Sequence, residues 1–283
     1  MRLAITTLLV LATAPLVAQD HLLQPGDLAA RQTAAALLAF GLDGWRGLGA
    51  EPGAERLLAA VNTARQCLPA GSHARATLDA IASAHRAPTA IASDVADRLD
   101  DLQFQPVAEA ELPQGLPGFL ALDEIELRQY PTYRMVRATM RGGAMGSFWP
   151  LFNHIKEREI AMTTPVQIDY RHDGERQREA SMAFLYGSST LGPTGKAGDV
   201  EVVDMPAMTV LTIGSRGQDR PTRITELRER LEGWLARHPE WELAGTVRTM
   251  GYNSPSVRGD RRYFEVQLPV RPRQSAARLQ QSV

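Results

Sequence analysis

Apolar residues recur at helical spacing through the first third of the chain. Between residues 20 and 105, alanine, leucine and arginine dominate, and runs typical of strands are missing. Glycine and proline interrupt the pattern at 44–53, 69–71 and 88. We therefore predict an all-helical region over residues 19–105. Its helices are expected over 28–42, 54–67, 72–84 and 89–102.

The pattern changes after a proline- and glycine-rich stretch at 106–118, which we interpret as a linker. From 119 to 270, alternation of apolar and polar residues predicts strands, and apolar stripes at helical spacing predict two helices. The first two strands are predicted to form a pair joined at Tyr130-Pro131. Strands are expected over 122–129, 132–140, 161–170, 179–186, 207–214, 242–252 and 262–269. Helices are expected over 146–155 and 220–237.

One stretch of this second region, 160–166, surrounds two threonines and a proline with apolar residues, which predicts a buried strand with an irregular end. Residues 250–255 repeat the pattern, as a strand interrupted by Gly, Asn and Pro. The segment 124–131 likewise parallels 199–206, and an offset of 75 residues, from 124 to 199, is too long for a solenoid repeat. The sequence therefore predicts an α+β fold with a duplicated strand-strand-helix-strand-strand module.

The N-terminal residues bear on the compartment. Arg2 precedes an apolar run over 3–17, and the small residue Ala18 stands just before polar residues. This pattern is typical of a secretory signal peptide, and the run is short for a membrane span. We predict a signal peptide over 1–18 and a periplasmic or secreted protein with no membrane span after cleavage. An uncleaved N-terminal anchor is the alternative.

Composition narrows the classes of function. The formal net charge of −1 argues against a nucleic-acid binder whose affinity comes from neutralising phosphates. The only cysteine, Cys67, cannot form an internal disulfide, and we expect it to be buried as a small apolar residue. The polar tail at 271–283 is predicted to be disordered.

Several motifs follow one another in the second region. They are Tyr130-Pro131, Lys156-Glu-Arg-Glu159, the stretch 160–166 in the pattern I-x-M-T-x-P-V, Met205-Pro206 and Gly251-Tyr-Asn-Ser-Pro255. Over residues 119–270 the chain thereby resembles the SOUL haem-binding protein family. The resemblance implies a distorted antiparallel β-barrel with two flanking helices, built from two pseudo-symmetric halves. It also implies haem or another tetrapyrrole as the ligand, and it does not extend to the helical region.

A tetrapyrrole needs a wide apolar slot and cations for its propionates. The first helix of the second region offers an apolar stripe, which either packs on the sheet or lines the slot, with Trp149 at its edge. The stripe comprises Met145, Phe148, Trp149, Phe152 and Ile155. The cations nearby in sequence either bind propionates or form a solvated face. They are Arg134, Arg137, Arg141, Lys156 and Arg158, of which Arg134, Arg137 and Lys156 are our candidates.

No histidine has an obvious place as an axial ligand. His154 projects about 130° from the centre of the stripe, at ~100° per residue, and is predicted to lie on the surface near the helix C-terminus. His172 falls in a turn and His238 at a helix end. Haem without a strong protein ligand and six-coordinate haem both remain open, and no metal-ligand spacing occurs.

The sequence contains no catalytic motif, so we predict a non-catalytic binding protein. One alternative is a small-molecule hydrolase or effector-binding sensor that uses the same cleft, with Glu265 and Tyr252 as its polar groups. For Glu265, a structural ion pair with a neighbouring arginine is the competing interpretation. A third hypothesis is an interaction protein whose helical region binds an unknown protein partner while the second region is scaffold.

Overall fold

The computed structural model describes residues 21–48, 50–141, 143–173 and 176–273. The predicted signal peptide, residues 1–18, lies outside these ranges, as does the predicted tail beyond residue 273. Within the ranges described, no helix combines the length and the apolar character that crossing a membrane requires.

The predicted all-helical region is confirmed. It contains α1 (Asp27–Leu48), α2 (Ala50–Cys67), α3 (His73–Ser83) and α4 (Pro88–Gln103). Leu38, Leu57 and Val95 are fully buried in a core that these four helices share. Cys67, which we expected to be buried, is only half-buried, and its thiol donates to the carbonyl of Thr63 one turn earlier.

The second region is an antiparallel ten-stranded sheet with two helices, so the predicted α+β class is confirmed. Its strands are β1 (Ile125–Tyr130), β2 (Tyr133–Thr139), β3 (Val166–Asp173), β4 (Arg176–Leu185), β5 (Gly195–Ala197), β6 (Val200–Met205), β7 (Met208–Arg216), β8 (Trp241–Leu243), β9 (Arg248–Gly251) and β10 (Tyr263–Pro272). Its helices are α5 (Ala144–Glu157) and α6 (Pro221–Arg237). A 3-10 turn, Gly259–Arg261, precedes β10.

The strand order is β1-β7-β10-β9-β3-β4-β2-β6-β5, with β8 beside β10. This path is open rather than closed, so the barrel is not confirmed. The predicted pairing of the first two strands is wrong. β1 pairs with β7, and β2 lies between β4 and β6. The partners of both strands come from later in the chain, so these two consecutive strands are not neighbours in the sheet. The predicted duplication stays a prediction.

Most predicted strands are shifted by a few residues at one or both ends, and two of them differ more substantially. The stretch 160–165 is not a strand, and β3 begins only at Val166. Pro165 follows a cis peptide bond and has no N–H for a ladder. Instead, Thr163 Oγ1 donates to the carbonyl of Leu185 at 2.6 Å. The segment predicted as one strand over 242–252 forms two short strands, β8 and β9.

The two faces of the sheet are covered differently. On one face, α5 packs over residues such as Val136 and Phe184, and α6 packs over residues such as Leu211 and Val266. The opposite face is covered by residues 104–120, which we call the strap. Its apolar side chains pack among residues of several strands. The predicted linker at 106–118 is therefore part of a packed cover.

A buried ion pair joins the helical region to the sheet. Arg31 Nη1 on α1 donates to Glu124 Oε1 at 2.7 Å, and both side chains are almost completely buried. The same carboxylate accepts the backbone N–H groups of His73 and Ala74, each at 2.9 Å. Glu124 thus satisfies the first turn of α3, where a negative charge is favourable.

Candidate ligand-binding site

Helix α5 carries most of the predicted site, and it is rotated relative to the prediction. Its buried residues are Ser147, Leu151, His154 and Ile155. At ~100° per residue, the centre of this buried side lies roughly 110° from the centre of the predicted apolar stripe. The stripe therefore lies on one flank of the helix, partly on the sheet and partly open to solvent.

Four residues form what we call the aromatic flank of α5: Met145, Phe148, Trp149 and Phe152. Met145 is 60% exposed and Trp149 is 52% exposed, which is unusual for such large apolar side chains. Phe148 stacks on Phe152 with ring centroids 5.7 Å apart, and Trp149 meets the edge of Phe152 at 5.9 Å. The flank is thus a continuous apolar surface. The fifth stripe residue, Ile155, belongs to the core.

The core beneath the flank extends beyond the helix. Four half-buried residues pack against the same buried cluster as Phe148 and Phe152. They are Ile160, Met162, Val166 and Ile168. The sequence identified the stretch 160–166 as structurally important but gave no sign that it shares a core with the flank. That shared core includes Met182 and Phe184 of β4, which pairs with β3 in a long-range contact.

The predicted cations are placed in different surroundings. Arg134 makes a two-pronged contact with Asp204, with nitrogen–oxygen distances of 2.7 and 2.8 Å. Arg137 donates twice to one oxygen of Glu201, at 3.1 and 2.8 Å. It also projects from the face of β2 opposite α5, because the neighbouring residue Val136 packs under α5.

Lys156 is the candidate cation that lies beside the aromatic flank. It is exposed and follows Trp149 by seven residues, or about two turns, so both lie on the same side of the helix. In the described part of the chain, it has no ion-pair partner. Arg158 is near Glu157 at 3.8 Å, and Arg141 is exposed near the start of the helix.

The expectation that His154 is a surface residue is wrong. Its side chain is buried, with the residue 4% exposed, and Nε2 lies 2.9 Å from the hydroxyl of Tyr186. Burial lowers the pKa of His154 and favours the neutral ring. His238 caps α6 and stacks on Trp234, with ring centroids 3.7 Å apart. His172, expected in a turn, lies in β3, which pairs with β4 beyond the predicted strand end, and its side chain is outside the described residues.

The structure brings Glu265 and Tyr252 together, but not in an open cleft. Tyr252 Oη donates to Glu265 Oε1 at 3.0 Å, and Gln267 Nε2 donates to Oε2 at 2.8 Å. Thr212 and Tyr263 supply two further donors, and Arg128 Nη1 lies 3.9 Å away. Burial raises the pKa of Glu265. The carboxyl is fully buried and well supplied with donors, as expected for a structural group.

No cluster of three or more His, Cys, Asp or Glu side chains suited to a metal ion occurs in the described ranges. The fit to haem therefore depends on the flank. Its exposed aromatic surface and the neighbouring Lys156 suit a planar apolar molecule with acidic groups. His154 does not suit axial ligation, because its Nε2 is buried against Tyr186.

Comparisons with solved structures show several partial likenesses. The chain is similar to the C-terminal domain of EcmrR, with 15% identity over 54% of this chain and 99% of that one and a TM-score of 0.42. A hydrolase from Listeria innocua shares 8% identity over 53% of this chain and 93% of its own, with a TM-score of 0.41. SAV2435 bound to tetraphenylphosphonium shares 12% identity, over 52% and 94%, with a TM-score of 0.33. A search of curated proteins found no match.

The sequence match to a family is more informative. The family described as SOUL heme-binding protein matches residues 118–269. This match covers more than half of the chain, and it coincides with the sheet and its two helices. The chain therefore belongs to the SOUL heme-binding protein family.

Proposed function

We propose that this protein binds haem or a related tetrapyrrole on the aromatic flank of α5 and does not catalyse a reaction. The observation that carries the proposal is the exposure of Met145 and Trp149 within a continuous apolar surface, in a member of a haem-binding family. Exposed apolar surface of this kind marks interaction sites, because its contact with water is unfavourable.

The recognition chemistry divides between apolar contact and charge. The rings of Trp149, Phe148 and Phe152 offer stacking and edge contacts to a macrocycle. Lys156 attracts a propionate at one end of the flank. Arg134 and Arg137 are already engaged by Asp204 and Glu201, so they contribute only if those pairs open. Haem, when bound, supplies the iron chemistry, and the chain supplies the surface and the charge.

We further propose that the protein is exported. The apolar run at 3–17 and the small residue Ala18 support cleavage there. N-terminal sequencing of the protein purified from the producing cell's periplasm or medium tests this, and the expected first residue is Gln19. Recovery of an intact N-terminus in a membrane fraction would instead support the uncleaved anchor.

The experiment that tests the ligand is a hemin titration of residues 19–283 followed at the Soret band. We compare the wild type with Trp149→Ala, and we use Phe40→Ala as a matched control because Phe40 is also a largely exposed aromatic, on α1. Loss of an aromatic contact costs about 0.5–1.5 kcal/mol beyond area burial, so Trp149→Ala should bind up to roughly tenfold more weakly. Phe40→Ala should match the wild type.

Equal affinity in all three proteins would remove the flank from the function. An affinity no better than that of an unrelated protein of similar apolar content would remove haem itself.

A further inference from the structure

A polar cavity of about 410 Å³, a volume typical of small-molecule sites, lies across the adjacent strands β4, β2, β6 and β5. Arg137 is opposite Glu201, and Glu201 is opposite Lys196, so the three side chains project from one face of the sheet. This is the face that does not carry α5. Among the described residues that line the cavity, none belongs to the strap and most are exposed, so a ligand can enter directly.

The charges that line this cavity are only partly paired with one another. Arg137 donates twice to one oxygen of Glu201, at 2.8 and 3.1 Å. Three other charged side chains line the same cavity, and they are Arg141, Lys196 and Asp199. None of these three has an ion-pair partner in the part of the chain that the structure describes. The described lining therefore presents two free cations and one free carboxylate.

The rest of the lining adds hydroxyl groups and little apolar surface. Thr139 and Ser181 are opposite each other on β2 and β4, and both line the cavity. The Ser181 hydroxyl donates to Asp169 at 2.8 Å, which leaves its oxygen able to accept. The Thr139 hydroxyl has no hydrogen-bond partner within the described residues. Val200 is the one large apolar residue of the described lining, and it is buried, so the cavity suits a small charged molecule and not a tetrapyrrole.

We propose that this cavity is a second ligand site, which takes a small zwitterion with two acidic groups and one amine, such as an acidic amino acid. Arg141 and Lys196 each bind one acidic group, and Asp199 accepts from the ammonium group. A dianion without an amine leaves Asp199 beside like charges without compensation, and the repulsion disfavours it. A molecule with a single acidic group leaves one cation unused. The site goes beyond the proposed function and does not depend on haem.

The probe is L-glutamate, titrated into residues 19–283 at low salt. Binding is followed by calorimetry and by the backbone amide resonance of Gly198, which lines the cavity at the turn between β5 and β6. The wild type should bind glutamate with a shift of this resonance. Glutarate lacks the amine, and free glutamine lacks the second carboxylate. Each should bind about threefold to fivefold more weakly, because each loses one partly exposed charge contact.

Two variants test the roles of individual charges. Lys196→Gln should weaken glutamate binding by a similar factor. Asp199→Asn should remove the preference for glutamate over glutarate, because the carboxylate that recognises the amine is gone. Lys156→Gln is the matched control for Lys196→Gln, because Lys156 lies on α5, on the other side of the sheet, and this variant should bind glutamate as the wild type does. All three substituted side chains are exposed, so the variants should fold.

The proposal is overturned if glutamate leaves the Gly198 resonance unchanged, because the charges then form only a solvated surface. It is also overturned if glutarate binds the wild type as tightly as glutamate does, or if Lys156→Gln weakens glutamate binding as much as Lys196→Gln. Displacement of hemin by glutamate would overturn it too, since the aromatic flank lies on the other face of the sheet. The glutamate titrations contain no hemin, so failure of hemin to bind would leave their outcome unaffected.

Discussion

The imidazole Nε2 of His154 lies 2.9 Å from the hydroxyl of Tyr186, and both side chains are buried between α5 and the sheet. Tyr186 follows directly after β4, so this contact joins the helix to a part of the chain 32 residues later. A polar residue therefore belongs to the buried side of α5, and the aromatic flank is correspondingly turned outward. The rotation of α5 about its own axis both buries His154 and exposes Trp149.

His154→Ala should lower stability without changing a haem spectrum. The substitution leaves the buried Tyr186 hydroxyl without its partner, which costs about 1–3 kcal/mol. We expect the free energy of unfolding in urea to fall by that amount, while the Soret band of the hemin complex stays where it is. Tyr186→Phe serves as the comparison and should also destabilise. A Soret shift confined to His154→Ala would mean that the helix rotates and that His154 ligates iron.

The two lysines of the chain provide a matched pair for testing propionate recognition. Lys156 lies beside the aromatic flank, whereas Lys196 is an exposed residue of β5. Lys156→Gln should weaken hemin binding by up to about fivefold at low salt, because an exposed charge pair contributes about 0.2–1 kcal/mol. The difference should shrink at high salt. If Lys196→Gln has the larger effect, the propionates lie elsewhere.

His73 should make stability depend on pH. Burial, with a contribution from Arg230, lowers the pKa of His73 to about 4 from an ordinary value of 6.5. Because the pKa of His73 is lower in the folded state than in the unfolded state, the contribution of neutral His73 to stability is fully present above pH 6.5. That contribution is lost as the pH falls from 6.5 towards 4. The slope in this window is at most about 1.4 kcal/mol per pH unit.

Denaturant titrations of His73→Gln at several pH values check this expectation. The variant should lose part of the wild-type slope between pH 6.5 and 4. His85→Gln is the control, because His85 is exposed and should retain the slope. An identical slope in the wild type and His73→Gln would show that other groups account for the pH dependence.

The pair between Arg31 and Glu124 should couple the helical region to the sheet. Glu124→Ala leaves Arg31 buried without a counter-charge and frees two N–H groups of α3, so we expect a loss of about 3–5 kcal/mol in urea unfolding. The double variant Arg31→Leu/Glu124→Leu should recover part of this loss. Glu242→Ala is the control, since Glu242 pairs with exposed Arg271 and should cost less than about 1 kcal/mol. Separate unfolding of the two regions in the wild type would contradict the coupling.

Local pattern was sufficient to predict several parts of this protein. The helices of the first region and most strands of the second follow from apolar periodicity and from glycine and proline breaks, which depend only on residues a few positions apart. The family resemblance likewise followed from short motifs in order, and the match over 118–269 confirms it. The membership of Trp149 in an apolar stripe was also evident from the sequence.

The tertiary structure decided which side of each element faces inward and which strands meet. The burial of His154 depends on Tyr186, and the pairing of β1 depends on β7, so neither follows from neighbouring residues. The position of the strap also does not follow from neighbouring residues, because a proline-rich segment has no periodicity that reveals a buried side. Sequence periodicity is a local property, and it predicts where helices and strands form. Whether a polar side chain such as His154 can be buried depends on hydrogen-bond partners that only the folded chain brings close enough.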